Sequence, residues 1–114
     1  MLFRSAQPAG ALAHGEKRAL ELAVALALEP AVLVLDEPMA GVGHEEGARL
    51  IALLQRLQGR LPMLLIEHDM AAVFRLADRV SVLVYGRVIA RGTPDAVRAD
   101  PAVREAYLGE ETAP

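Results

Sequence analysis

Apolar residues recur along this chain with a period that alternates between helix and strand. Leu20, Ala23, Val24, Ala27 and Leu28 stand at i, i+3, i+4, i+7 and i+8, which predicts a helix opened by His14 and Gly15, with Glu16 and Lys17 away from its apolar face. Glu29 and Pro30 stop it. Residues 31–35 are a short aliphatic run, the mark of a fully buried strand. A loop through Pro38, Gly41 and Gly43 leads to a second helix over 44–59, begun by Glu45 and Glu46, with Leu50, Leu53, Leu54 and Leu57 as its buried face and Gly59 as its end. Leu61–Ile66 repeats the strand pattern and Met70–Ala77 the helical one.

Strand, helix, strand, helix in this order predicts an α/β fold with parallel strands and right-handed crossovers. The carboxyl ends of both strands then lie at one edge of the sheet, so His68 approaches whatever Asp36 and Glu37 approach. Past Asp78, Val80–Tyr85 and Val88–Arg91 flank Gly86 and Arg87, a two-residue connection suited to a tight antiparallel hairpin. Thr93-Pro94 and Asp100-Pro101 each set a capping side chain before a proline at the first helical position, which predicts two short helices, with fraying from Glu110 to Pro114. Residues 5–13 read as a small lead-in that breaks at Gly10.

At 114 residues, composition allows one small core or part of a larger one. A net charge of −3 with dispersed arginines gives no basic stripe and disfavours nucleic acid as a partner. The absence of cysteine excludes disulfides and thiol chemistry and fits a reducing compartment, with the cytoplasm as the default. Leu22–Leu28, the longest apolar run, is far too short to span a membrane, and the first residues read as an arbitrary start rather than a leader. A hydrophobic fraction of 54% points to surfaces that pack on something else.

The candidate chemistry sits where the first strand ends. Asp36 could hold a metal through water and Glu37 could orient or deprotonate an attacking water, the two tasks of nucleoside triphosphate hydrolysis. Two acids closing a core strand are equally often a solvated boundary. A phosphate-cradling G-x-x-x-x-G-K-[ST] loop is missing from the sequence: Lys17 is the only lysine, and Arg18 follows it.

Taken in order, residues 12–68 resemble the second half of an ABC transporter nucleotide-binding domain. Leu12, Ala13, His14, Gly15 and Glu16 stand where that family has its Leu-Ser-Gly-Gly-Gln signature, Val32–Glu37 is similar to its Walker B strand, Ala40–Gly43 to its D-loop and His68 to its switch histidine. Ile66–Met70, Gly92-Thr93-Pro94 and the tail from Asp100-Pro101 to Ala106–Glu110 further resemble the ATPases of branched-chain amino-acid importers.

The resemblance implies a partial P-loop NTPase fold: the end of the helical signature subdomain over 1–30, a core from Walker B to the switch histidine over 31–78, and a C-terminal hairpin with helices over 79–114. It implies ATP and Mg2+ as cofactors, with Leu12–Glu16, Gly41 and Gly43 contacting nucleotide, Asp36 holding the metal, Glu37 acting on water and His68 steadying the γ-phosphate. It also implies a head-to-tail pairing with a second ATP-binding subunit, identical or not, on membrane permease subunits at the inner face of the plasma membrane, served indirectly by a separate substrate-binding protein. With no phosphate loop in its sequence, the chain alone is expected to show no turnover. A non-catalytic module that docks on a partner subunit is the alternative.

Several residues depart from the family pattern or invite another role. Ala13 lacks the signature serine's hydroxyl, His14 replaces a glycine as a tolerated variant, Glu16 adds charge that Lys17 or Arg18 must offset, and Gly43 replaces the acid or amide that ends the D-loop. His44 reads as a solvated loop residue, Met39, Met63 and Met70 as packing residues, and Tyr107 as an anchor for the terminal helix.

Overall fold

A computed structural model of the chain describes residues 14–108. Leu12, Ala13, the lead-in over 5–13 and the expected fraying over 110–114 therefore lie outside the described residues. The chain forms two compact units that part between Asp69 and Met70.

The first unit runs α1 (His14–Ala27), β1 (Leu33–Asp36), α2 (His44–Leu57) and β2 (Met63–Ile66). β1 and β2 pair in parallel, with Leu33 opposite Met63 and Asp36 opposite Ile66. The core gathers Leu22 of α1, Leu33 of β1 and Leu50, Ile51 and Leu54 of α2, all buried. The expectation of a fully buried β1 is corrected. Leu33 is covered, but Val34 is 59% exposed and its neighbour Leu64 on β2 56%. An unbroken aliphatic run records what a strand can bury on both faces; among the described residues only one face is covered.

The buried face of α1 also differs from the expected one. Leu22 is buried, whereas Val24 and Leu28 point outward. Apolar residues surround most of this helix, so more than one face satisfies the helical period, and packing selects the row of Arg18, Leu22 and Ala25. That row borders a cleft of about 220 Å³ that Leu33, Asp36 and Leu54 also line. The helix ends as Leu28 and Glu29 close their N–H groups onto the carbonyls of Ala25 and Leu26, with Glu29 at φ 51°. On α2 the buried row is Gly47, Leu50, Ile51 and Leu54, with Leu53 and Leu57 half-buried. His44 is the first residue of this helix, exposed, rather than a loop residue.

The second unit comprises α3 (Met70–Leu76), the antiparallel strands β3 (Val80–Val84) and β4 (Arg87–Gly92), α4 (Pro94–Ala99) and α5 (Pro101–Val103), which continues into a π-helical segment over Arg104–Leu108. Its core is built from Val73, Val80, Val82, Val97 and Val103. The hairpin turns on Tyr85 and Gly86, at φ 49° and 78°, not on Gly86 and Arg87. A turn with positive φ at both central positions matches the strand twist, so glycine takes the second position and Arg87 enters the strand. The two caps form as expected: Thr93 Oγ1 accepts from the Ala96 N–H at 3.2 Å and Asp100 Oδ1 from the Ala102 N–H at 2.8 Å. Tyr107 packs on this core and donates its hydroxyl to the Leu83 carbonyl.

Candidate functional site

The parallel register carries the two polar strand ends side by side. Beyond the Asp36–Ile66 pair, the Glu37 N–H donates to the Ile66 carbonyl at 2.7 Å, one more rung of the ladder. At that point Glu37 adopts φ 49°, a left-handed conformation uncommon for a side-chain-bearing residue. The chain leaves the strand and turns through Pro38–Gly41, with the Ala40 N–H returning to the Glu37 carbonyl at 3.1 Å.

Glu37 Oε1 lies 2.9 Å from Nδ1 of His68. An ionised carboxylate only accepts, so the shared hydrogen belongs to Nδ1, and Nε2 is the ring nitrogen left to meet another group. With side-chain exposures of 50% and 71%, this pair contributes at most about 1 kcal/mol to stability. Asp36 is exposed at the end of β1, an oxygen donor of the kind that magnesium takes from protein when phosphates and water complete its shell. No cluster of three or more potential metal-ligating side chains occurs among the described residues.

Gly41, at φ 72°, completes the turn after Glu37, and Gly43 is the N-cap of α2, with no side-chain cap bond. Gly47 keeps the facing surface low: a Cβ there would come within 2.8 Å of Met39 Cε. His14 and Gly15 open α1, whose first backbone N–H groups have no helical acceptor and whose dipole favours an anion. Glu16 occupies that first turn and shares no hydrogen bond or ion pair with Glu37 or His68 among the described residues.

Two residues beyond those expected also shape the site. Arg18, read from sequence only as a charge offset, donates from Nη2 to the Ala40 carbonyl at 3.4 Å and lies 3.9 Å from Glu21. Glu67 has a side chain only 1% exposed. Its Oε2 accepts from the Met39 N–H at 3.1 Å, and Oε1 accepts from the N–H groups of His68 at 3.1 Å and Asp69 at 3.4 Å. Bonds to a charged acceptor are worth about 1.5–3 kcal/mol each, so the buried carboxylate outweighs the exposed Glu37–His68 pair as a structural tie. Arg18 shares its helix face with Leu22, a signal the sequence holds; the inward turn of Glu67 leaves no such periodic trace.

Known proteins resemble this chain across both units. BraF of Pseudomonas aeruginosa, a high-affinity branched-chain amino acid transport ATP-binding protein, is 43% identical over 104 residues, which is 90% of this chain and 41% of BraF. LivG of Escherichia coli, of the same description, is 40% identical over 112 residues, 96% of this chain and 44% of LivG. A solved ATP-binding cassette of an ABC transporter superposes with a TM-score of 0.78 at 31% identity, covering 89% of this chain and 42% of that one. The chain belongs to the ABC transporter ATP-binding subunits, as their C-terminal region.

The fold is accordingly that part of the ABC ATPase fold in which β1 and β2 are core strands of a P-loop NTPase. The ABC family described as Branched-chain amino acid ATP-binding cassette transporter matches residues 87–113, the stretch whose Gly92-Thr93-Pro94 and Asp100-Pro101 carry the finer resemblance. A second solved ABC cassette, from Clostridium perfringens and part of the complex cbiONQ, gives a TM-score of 0.73 at 34% identity, over 90% of this chain and 42% of its own. The chain thus spans less than half the length of the curated ABC subunits it matches. Nucleotide binding is the common business of this family. No helix among the described residues is long and apolar enough to cross a membrane.

Proposed function

We propose that this chain furnishes the hydrolytic edge of the ATP-binding subunit of an ABC importer for branched-chain amino acids. The reading is carried by the 2.9 Å approach of Glu37 Oε1 to His68 Nδ1 at the common carboxyl edge of two parallel strands. Glu37 uses its other carboxylate oxygen to orient a water for in-line attack on the γ-phosphate and to take its proton. His68, its Nδ1–H held by Glu37, directs Nε2 at a γ-phosphate oxygen and donates to it when the ring carries a second proton. Asp36 would hold Mg2+ through water, and that ion supplies neutralising charge at the phosphate oxygens. The opening turn of α1, with Leu12–Glu16, clamps a phosphate bound by the opposite subunit, and Gly41 and Gly43 line the loop between the two sites.

The partners that follow are a second ATP-binding subunit and the permease subunits, at the cytoplasmic face of the membrane; a separate binding protein delivers the amino acid. The family match at 87–113 and the names of BraF and LivG support the substrate class. The phosphate loop that the sequence lacks has to come from elsewhere. The purified chain alone is therefore expected to show no ATP turnover. Mixed with a polypeptide that carries the N-terminal half of such a subunit with its G-x-x-x-x-G-K-[ST] loop, it is expected to recover saturable ATPase activity, which Glu37→Gln lowers by about 100-fold or more. Binding of the two polypeptides without any ATPase overturns the proposal in favour of a docking module, and activity that survives Glu37→Gln removes Glu37 from the chemistry.

A further inference from the structure

Resting on that reading, we propose that Glu67 is a positioning residue that sets the approach of Glu37 to His68. Its carboxylate is the hub of the site although it faces no substrate position. One oxygen takes the N–H of Met39, two residues past Glu37, and the other takes the N–H of His68 itself. A single buried side chain thus ties the loop that carries the proposed base to the backbone of the proposed phosphate ligand. Neither of those two side chains is confined by packing, since both are at least half exposed, and the left-handed backbone at Glu37 holds no position unless its surroundings impose it. The imposing contacts are the Glu37 N–H to Ile66 carbonyl bond on one side and the Glu67 carboxylate on the other. Met39 adds to this, because its side chain lies over Gly47 of α2 and a loop released at its N–H would swing about that contact.

Position 67 therefore acts through the two side chains it positions, its own Oε1 standing 3.7 Å from His68 Nδ1, and substitution there should lower turnover and leave nucleotide affinity nearly unchanged. In the pairing with the polypeptide that carries the phosphate loop, Glu67→Ala is expected to reduce kcat by about tenfold or more while KM for ATP stays within about twofold. In a Glu37→Gln background the same substitution should have a smaller further effect than in the unsubstituted pair, confined to the part of its role exerted through the His68 N–H.

A second measurement needs no ATPase. In the chain alone, hydrogen exchange followed by NMR should quicken by about tenfold or more at the Met39 and His68 amides in Glu67→Ala, with the β1–β2 amides unchanged. Should Glu67→Ala loosen the whole unit, Glu67→Gln decides: its single carbonyl oxygen serves Met39 or His68 but not both, so exchange should quicken at one of the two amides. Unchanged exchange at both amides in Glu67→Gln and Glu67→Ala overturns the inference, as does a rise in KM at constant kcat. If the unsubstituted pair hydrolyses no ATP while the exchange result holds, the proposed function falls and the latch stands.

Discussion

At the scale of single residues, three side-chain-bearing positions among the described residues take positive φ: Glu29, Glu37 and Tyr85. Each closes an element, and each would suit glycine better on backbone grounds alone. At Glu29, which terminates α1 and is exposed, nothing in the site uses the side chain. Glu29→Gly is therefore expected to stabilise the first unit by about 1 kcal/mol, read as a higher midpoint in urea at unchanged slope. The same argument does not extend to Glu37, whose carboxylate meets His68. Much of the candidate site was legible at this scale, because Asp36, Glu37 and His68 stand where aliphatic runs end, and the end of a strand is a place in the fold. Glu67 was not, because a lone acid beside a histidine carries no sign of which way it turns. Only the positions of the Met39 and His68 amides make it a buried acceptor.

At the scale of elements, α2 begins without a side-chain cap, since Gly43 is its N-cap residue. The backbone there is ordinary for any residue, at φ −68° and ψ 168°, and a Cβ would meet nothing within 4 Å. Gly43→Ser places a hydroxyl at the cap with Glu46 three residues on, the arrangement in which both side chains serve orphan N–H groups. The gain expected is about 0.5–1 kcal/mol, combining the cap with the reduced freedom of the unfolded chain, and thermal unfolding measures it. Elements themselves were legible in order and type from their periods and from the Thr93-Pro94 and Asp100-Pro101 signals. What escaped was their rotation: α1 offers several apolar faces, and only its neighbours Leu33 and Leu54 decide that Leu22 is the one buried. The hairpin turn moved by one residue because turn geometry, rather than residue identity, fixes where Gly86 must stand.

At the scale of the molecule, each unit has its own small core, and the parallel sheet of the first covers one face only. The hydrophobic fraction of 54% anticipated uncovered surface without locating it; the register does, because Val34 and Leu64 sit opposite each other and point the same way. This open strip has a colloidal consequence. Apolar strips on separate molecules attract at short range whatever the buffer, and only net charge keeps them apart. This chain carries a net charge of −3 at pH 7 and has an isoelectric point near 5.6, so its self-repulsion is weak at neutral pH and vanishes little more than one pH unit lower. Light scattering from the purified chain should rise as pH falls from 8 toward 5.6. The double substitution Val34→Glu with Leu64→Lys, a cross-strand pair of opposite charge that leaves the net charge unaltered, should remove most of that rise. Scattering that persists in the double variant would place the stickiness elsewhere, and a sheet made for burial would then be better tolerated by water than its side chains imply.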